Sequence, residues 1–549
     1  MKKLIIPAFL LLVSAGAFAQ NLNPVVEVTN AYQREAGGIE KPSQLLAMPD
    51  SVLHFNWDID YSVRSTPYQG SYEFRPYLVQ LRPMPRVTGE NRLFLRAGAG
   101  YGLHPEATVI WTPVSRSNFR LNLFGDHYSY FGAYRNLVLD SGRFVSDGMQ
   151  DGMGADSHTA AGADVIWGWD GGEIQAAAGY KNIYAKDALT AFSNNIGFLN
   201  ARVKGKAGDT FSYEVGTRLA YHGVALPSGL REEFVTRSHA LLGAQFGVHH
   251  VNLDLGFQSM GREGNMLGDI SVTPRYILNI NRFRFNLGVK MQFLVRTDDP
   301  DAGVATFTAN KSDWVYPDAY LAFDAIPEKL VLQAAATGGD QLNVLSDILE
   351  KNAFMGSMQC NAPDDFRFRD YSSERFNLMV GARGNLAERF HYDLKVGYSY
   401  RKESLEYAFT EALLPSVGVM EDYHQFYTDL ELGWKADYLD VDGHLLLRKT
   451  TIEEDYIFAP ALLSGQLKAL YIWGGRLRAG VTLDAQTDRI SRVATVPGYV
   501  DLGLYGDFQM SRTVGVWLRV GNLLNQSVQL IPLYAQRGIY FSVGAKLTL

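Results

Sequence analysis

An aspartate beside a histidine is the first pair in this sequence that could carry out acid–base chemistry. The pair is Asp126 and His127, in a chain of 549 residues with 11 histidines. Neighbouring residues of a β-strand point to opposite faces, so the two side chains cannot share a proton if this segment is a strand. The sequence contains no G-x-S-x-G, no H-E-x-x-H and no glycine-rich phosphate loop. We therefore predict that the chain is not an enzyme, and we assign no catalytic residue, no cofactor-binding residue and no cofactor.

Spaced carboxylates mark one segment that could bind a metal ion. Asp147, Asp151 and Asp156 are interspersed with glycines, and hard oxygen ligands of this kind suit Ca²⁺. The spacing lacks the bidentate glutamate of an EF-hand, so a hydrated loop is the favoured interpretation and we predict no metal site. The acidic runs Asp298–Asp301 and Glu453–Asp455 are interpreted in the same way, as hydrated surface that could be cross-linked to lipopolysaccharide by divalent cations.

The remaining composition excludes other classes of site. The single cysteine, Cys360, can form no internal disulfide, and an unpaired loop thiol is favoured over a reactive or metal-binding one. The net charge of -7 and the absence of a basic patch argue against a nucleic-acid partner.

The N-terminus has the features of a secretory signal peptide. Lys2 and Lys3 supply positive charge, Leu4–Val13 form a short apolar core, and Ala17–Ala19 provide a small-residue cleavage site. The apolar core is too short to span a hydrocarbon layer of ~30 Å. We predict that residues 1–19 are removed and that the mature chain begins at Gln20.

Alternation of apolar and polar residues runs through most of the chain after Asn91. From Phe283 to Val295 the odd positions are apolar, while most even positions are Arg, Asn, Gly, Lys or Gln. A period of two indicates a β-strand. Many such segments exceed the roughly five or six residues usual in soluble proteins and reach the ~9–11 needed to cross a membrane. The mean hydropathy of -0.10 is compatible with this, because half of each barrel strand faces a polar lumen.

Counting from Asn91 gives about 22 strand candidates, the even number expected of a bacterial barrel. Links after even-numbered strands are tight. Links after odd-numbered strands are expected to be longer, at 131–157, 183–193, 223–230, 260–267, 297–312, 339–371, 402–419 and 485–496. Barrels have short periplasmic turns and long external loops. The predicted fold is therefore an all-β, transmembrane antiparallel barrel over residues 91–549, in the outer membrane, with both termini periplasmic.

Both ends of the chain resemble a known family. The strand from Val496 and the segment Val514–Asn525 resemble the closing strands of TonB-dependent receptors. The amphipathic last strand from Phe541 to Leu549 resembles the signal that the bacterial barrel-insertion machinery reads. Many such barrels end in an aromatic residue, whereas this chain ends in Leu549. The opening segment resembles plugless TonB-receptor-like barrels of Bacteroidetes, on the residues Val26, Val28, Tyr32, Lys41, Pro49 and Asp50.

This resemblance implies transport or uptake across the outer membrane, in a barrel without the complete plug of the family. Residues 20–90 are too few for that plug, and we interpret them as a partial lumen filler or a periplasmic segment. Val25–Thr29 is similar to a TonB box, although an ordinary first strand is the favoured interpretation. The alternative function is a structural or assembly scaffold that anchors partner lipoproteins or periplasmic proteins. The expected partners are outer-membrane lipids and lipopolysaccharide, the barrel-insertion machinery and, for the scaffold, a partner lipoprotein or periplasmic protein.

Overall fold

The computed structural model describes residues 92–549, except residues 102, 187–190, 209, 227–228, 263–264, 298–313, 345–346, 348–370, 387–388, 412–414, 452–453 and 536. The predictions for the signal peptide, for residues 20–90, for Cys360 and for Asp298–Asp301 lie outside the described residues. Within the described part of the chain, no helix is long and apolar enough to cross a membrane.

The described residues form 26 strands. These are β1 (Leu93–Gly100), β2 (Glu106–Ser115), β3 (Phe119–Gly132), β4 (Arg135–Asp140), β5 (Arg143–Met149), β6 (Gly154–Trp169), β7 (Gly172–Lys186), β8 (Ala191–Ala207), β9 (Phe211–Leu226), β10 (Gly229–Phe246), β11 (His249–Arg262), β12 (Asn265–Ile280), β13 (Phe283–Thr297), β14 (Val315–Ile326), β15 (Leu330–Leu342), β16 (Tyr371–Leu386), β17 (Phe390–Phe409), β18 (Pro415–Lys435), β19 (Leu439–Thr450), β20 (Leu463–Trp473), β21 (Leu477–Gln486), β22 (Arg489–Ile490), β23 (Thr495–Val496), β24 (Tyr499–Gln509), β25 (Val514–Gly521) and β26 (Tyr540–Thr548).

Among the described residues, 22 of these strands pair in one antiparallel sheet that closes on itself. Each barrel strand pairs with the next one along the chain, and β1 pairs with β26 from Phe94 opposite Thr548 to Gly100 opposite Ser542. The other four strands, β4, β5, β22 and β23, form a separate small sheet. The prediction of an all-β transmembrane barrel of about 22 strands is confirmed.

The two faces of the wall differ in polarity as the alternation predicts. On β13, Leu287 is 56% and Val289 is 45% exposed on the outside of the barrel, whereas Asn286 and Gln292 point inward and are buried. Apolar side chains on the outside suit contact with lipid, and polar side chains inside suit a hydrated lumen.

Exposed aromatic side chains form two belts on the outside. One belt lies where the strands meet short turns, and includes Trp111, Trp167, Trp169, Phe246, Phe283, Trp434, Tyr438, Trp473 and Phe508. The other lies nearer the opposite end, and includes Tyr180, Tyr221, Phe234, Phe293, Trp314, Phe426 and Phe541. On β13 the belts are separated by the length from Phe283 to Phe293, about 26 Å for a tilted strand. This matches the ~25 Å apolar band of a transmembrane barrel.

The links between barrel strands differ at the two ends of the barrel. We call one end the short-turn end, because links such as 170–171, 247–248 and 281–282 close it, and Leu549 lies there. The other is the long-link end, with the links 133–153, 298–314, 343–370, 451–462, 487–498 and 522–539.

Four links at the long-link end are much shorter than the sequence predicted. Residues 183–193, 223–230, 260–267 and 402–419 were expected to be loops, but only 187–190, 227–228, 263–264 and 410–414 lie between strands. The pairing continues through Arg231-Glu232-Glu233, where the apolar alternation has ended. Beyond the apolar band, the outer face of the wall contacts water and not lipid. The strands therefore continue there without an apolar stripe. The longest, β18, has 21 residues.

Candidate functional site

A β-hairpin in the link 133–153 is the main feature of the long-link end. Its strands β4 and β5 are joined by Ser141 and Gly142, which both have positive φ, at 50° and 76°. Two positive φ values give the twist that favours a two-residue hairpin turn. The hairpin pairs in parallel with the link 487–498, through Thr495 and Arg143.

This hairpin crosses the mouth of the barrel. Its Phe144 packs against Phe409, the last residue of β17, with ring centroids 5.7 Å apart. The hairpin leaves the wall after β3, which is ten strands from β17 by the shorter way round a ring of 22 strands. It returns to the wall at β6, which is eleven strands from β17 in the other direction. The hairpin therefore reaches the opposite wall.

A small apolar core holds the hairpin there. Phe144, Phe409, Phe458, Ala494 and Val496 are each at most 3% exposed. The rings of Phe409 and Phe458 lie 5.1 Å apart. Three links and the end of β17 contribute to this core, which we call the mouth core. Burial of three phenylalanine side chains makes it a stable layer, because each contributes about 1.5–3 kcal/mol.

Polar contacts attach the link 522–539 to the same layer. Gln529 donates from Nε2 to the carbonyl of Phe144 at 3.1 Å, and Arg489 donates to the carbonyl of Leu530 at 2.7 Å. Burial lowers the pKa of Arg489 below its ordinary value. Its two acceptors, Leu530 and Gln486 at 3.1 Å, compensate for the lost water.

A second arginine fixes the far end of this link to the barrel wall. The Arg537 guanidinium lies 3.6 Å from the ring centre of Tyr540, and it donates to His104 Nδ1 at 2.6 Å. His104 Nε2 then donates to Glu106 at 2.7 Å. Burial opposes the charge of Arg537, but Tyr128 and Tyr540 outweigh this effect and raise its pKa above the ordinary value. The arginine is therefore a permanent cation–π anchor.

The link 343–370 also turns inward at its start. Leu342 and Val344 pack against Val235, Met260 and Leu267 of β10, β11 and β12, and all five are buried. Asp347 pairs with Arg237 of β10, five strands away from β15. The described residues at the start of this link therefore fold inward, against β10, β11 and β12 of the wall.

Charged and amide side chains line the lumen below these links. Arg275 of β12 contacts Asp318 of β14 at 2.5 Å and Asp254 of β11 at 3.0 Å. Asn122 donates to Asp164 at 2.7 Å. Such paired groups give the described inner wall a polar surface in place of an apolar core.

The structure separates the residues that the sequence singled out. Asp126 accepts a hydrogen bond from Thr108 at 2.8 Å, whereas His127 lies 2.8 Å from Thr159 on the other face of the sheet. Asp147 lies in β5 and Asp156 in β6, where Asp156 lies 3.1 Å from His158. The assignment of no catalytic, cofactor or metal residue remains a prediction.

Sequence reasoning missed one group of possible metal ligands. Asp429, Glu431 and His444 have ligand atoms within 4.8 Å of one another. Asp429 and Glu431 share one face of β18, and Glu431 is the cross-strand partner of His444 in β19. The i, i+2 spacing of the two carboxylates was a signal, but only the strand register shows that the histidine lies beside them.

Comparisons with known proteins reveal similarity in structure only. No protein-family model matches the chain, and no curated protein matches its sequence. The copper transporter OprC superposes with a TM-score of 0.62 at 11% identity, over 84% of this chain and 82% of that one. The chain shares the barrel fold of TonB-dependent receptors.

Two further solved structures give the same result. The ferric-catecholate import receptor Fiu from E. coli K12 has a TM-score of 0.60 at 9% identity, over 84% of this chain and 82% of its own. The FrpB iron transporter from Neisseria meningitidis, F5-1 variant, has a TM-score of 0.61 at 10% identity, with the same coverage. The resemblance seen in the sequence is thus confirmed for the fold, while the Bacteroidetes type and the lack of a plug remain predictions.

Proposed function

We propose that this chain is an outer-membrane transport barrel whose own links close its external mouth. The observation that carries the proposal is the contact between Phe144 and Phe409 across the barrel. A solute that enters the lumen at this end has to displace the hairpin or pass beside it. The neighbours in fold are described as a copper transporter, an import receptor and an iron transporter, which supports uptake as the class of function.

Removal of the hairpin tests this proposal. Replacing residues 135–149 with a short glycine-serine linker takes away Phe144 and the pairing with Thr495. We expect the full-length protein to show little conductance in planar bilayers, and the variant to give large, stable steps. Cells that produce the variant should also become sensitive to vancomycin, which is normally excluded by its size.

Point substitutions separate closure from general damage. Phe144→Ala removes a 2% exposed ring and should cost the mouth core about 3–5 kcal/mol. Met149→Ala is the matched control, since Met149 lies in the same strand and is 55% exposed. Frequent opening with Phe144→Ala and none with Met149→Ala would support the proposal.

A further variant, which lacks residues 24–85, tests the N-terminal segment, because that segment was predicted to fill part of the lumen. If the hairpin variant conducts only when residues 24–85 are also deleted, both parts contribute to closure. Large ungated conductance of the unaltered protein would contradict closure by the links. If no variant conducts in bilayers or sensitises cells, the proposal of a transport function is wrong. The scaffold interpretation then takes its place.

A further inference from the structure

Two paired strands place three metal-binding side chains on the inner wall of the barrel. His444 Nε2 lies 2.7 Å from Asp429 Oδ1. Glu431 is directly opposite His444, and Asp429 is two residues along the same face of β18. The register of the sheet therefore fixes the backbone positions of all three, and only side-chain rotation is needed to bring the ligand atoms together.

The three side chains differ in access to the lumen. Asp429 is 15% exposed, His444 is 41% and Glu431 is 56%. A site of this kind has a rigid base and an open side. With three protein ligands, further coordination positions would be filled by water from the lumen, as in metal sites that exchange ligands.

The ligand types indicate which ions fit. An imidazole nitrogen with two carboxylates suits Zn²⁺ and neighbouring transition metals, whereas Ca²⁺ and Mg²⁺ prefer oxygen ligands alone. Zn²⁺ binds nitrogen and carboxylate oxygen at about 2.0–2.2 Å. A bound ion would take the place of the direct contact between His444 Nε2 and Asp429 Oδ1. From these observations we propose that Asp429, Glu431 and His444 form a lumenal binding site for a divalent transition-metal ion.

One neighbouring cation opposes metal binding and gives the proposal a sharp test. Lys395 Nζ lies 4.0 Å from Glu431 and 3.2 Å from Asp393. Lys395 is also the cross-strand partner of Asp429. Its ammonium group competes for the same carboxylates, so its removal should strengthen binding. A merely structural ion pair would not produce a gain of this kind.

The experiment measures Zn²⁺ bound by the purified full-length barrel in detergent, after treatment with EDTA and dialysis. We expect the wild type to bind one Zn²⁺ per chain tightly. The affinity should be at least 10-fold weaker in His444→Gln and in Glu431→Gln, and it should be higher in Lys395→Gln. Asp442→Asn is the control, because Asp442 is two residues from His444 on the same face of β19 but outside the trio. Its affinity should stay within about threefold of the wild type.

Cu²⁺ as a probe gives a second readout that does not depend on affinity. Electron paramagnetic resonance of the copper-loaded wild type should show coupling to one imidazole nitrogen, which is lost in His444→Gln. Because Glu431 is half exposed to the lumen, Glu431→Gln remains a fair test even if His444→Gln fails to insert. No stoichiometric Zn²⁺, or equal binding by wild type, Glu431→Gln and His444→Gln, would overturn the site while leaving the proposed closure of the mouth unaffected.

Discussion

Single residues of the wall face either lipid or the lumen, and neighbours along a strand face opposite ways. On β20, Leu467 is 42% exposed on the outside, while Gln466 points inward and hydrogen-bonds Asp484, its cross-strand partner. Not every inward position accepts a larger side chain. Gly288 on β13 faces inward, but a Cβ there would lie 2.9 Å from Arg275 and 3.0 Å from Asp318.

The first prediction at this scale compares two arginines placed one residue apart. Leu467→Arg puts a charge against the middle of the lipid layer and should destabilise the barrel by ~2–4 kcal/mol. Gln466→Arg places the same group beside Asp484 in the lumen and should be nearly neutral. Folding titrations into lipid vesicles measure both. If Gln466→Arg proves the more damaging, the two faces of β20 have been assigned the wrong way round.

At the scale of elements, the seam between β1 and β26 closes the barrel. Trp517 of β25 is 2% exposed and points inward. Its ring covers Gly98 and Gly544, the cross-strand pair at the seam, where an added Cβ would lie 2.4 Å and 2.6 Å from the indole. The Arg96 guanidinium lies 4.0 Å above the same ring. The two glycines therefore leave room for one large side chain that shields the closing hydrogen bonds.

Gly544→Val should weaken this seam. The added side chain would overlap both the indole and the carbonyl of Ala97 at 2.2 Å, and overpacking of this kind costs about 1–3 kcal/mol. Gly506→Val on β24 is the control, since no atom lies within 4 Å of an added Cβ there. The fraction of protein that keeps its fast, folded mobility on unboiled gels should fall on moderate heating for Gly544→Val only. Equal mobility of the two variants over that range would argue against a role of the glycines in closure.

At the scale of the whole molecule, the two ends of the barrel differ in their links and in their exposed side chains. The long-link end carries the mouth core, and the short-turn end carries the belt rich in tryptophan. Barrels of the bacterial outer membrane have their short turns in the periplasm. From this general rule the long-link end is expected to face outward.

Cysteine labelling on intact cells tests that orientation. In a Cys360→Ser background, Ser141→Cys places a thiol at the exposed tip of the hairpin, and Val248→Cys places one in the short turn 247–248. A membrane-impermeant maleimide should label the first in whole cells and the second only after the outer membrane is permeabilised. The opposite pattern would reverse the orientation, and with it the side of the membrane that the hairpin closes.

Several features were determined by the sequence alone, because they depend on local periodicity. Alternation over long segments defines the strands and their inward and outward faces, as on β13. The number of such segments predicts the closed antiparallel barrel that 22 strands form. The sequence predicted that β9 ends too early and that β10 begins too late, because the apolar stripe stops at the membrane surface whereas backbone pairing does not.

Contacts between distant segments were decided only by the tertiary structure. Phe144 and Phe409 are separated by more than half the barrel sequence, and nothing in either neighbourhood indicates the other. Glu431 and His444 become partners only through the register of β18 with β19, which depends on the length of the turn between them. A local pattern specifies which way a side chain points. The partner that it meets is fixed by the closure of the sheet and by the path of the links across its mouth.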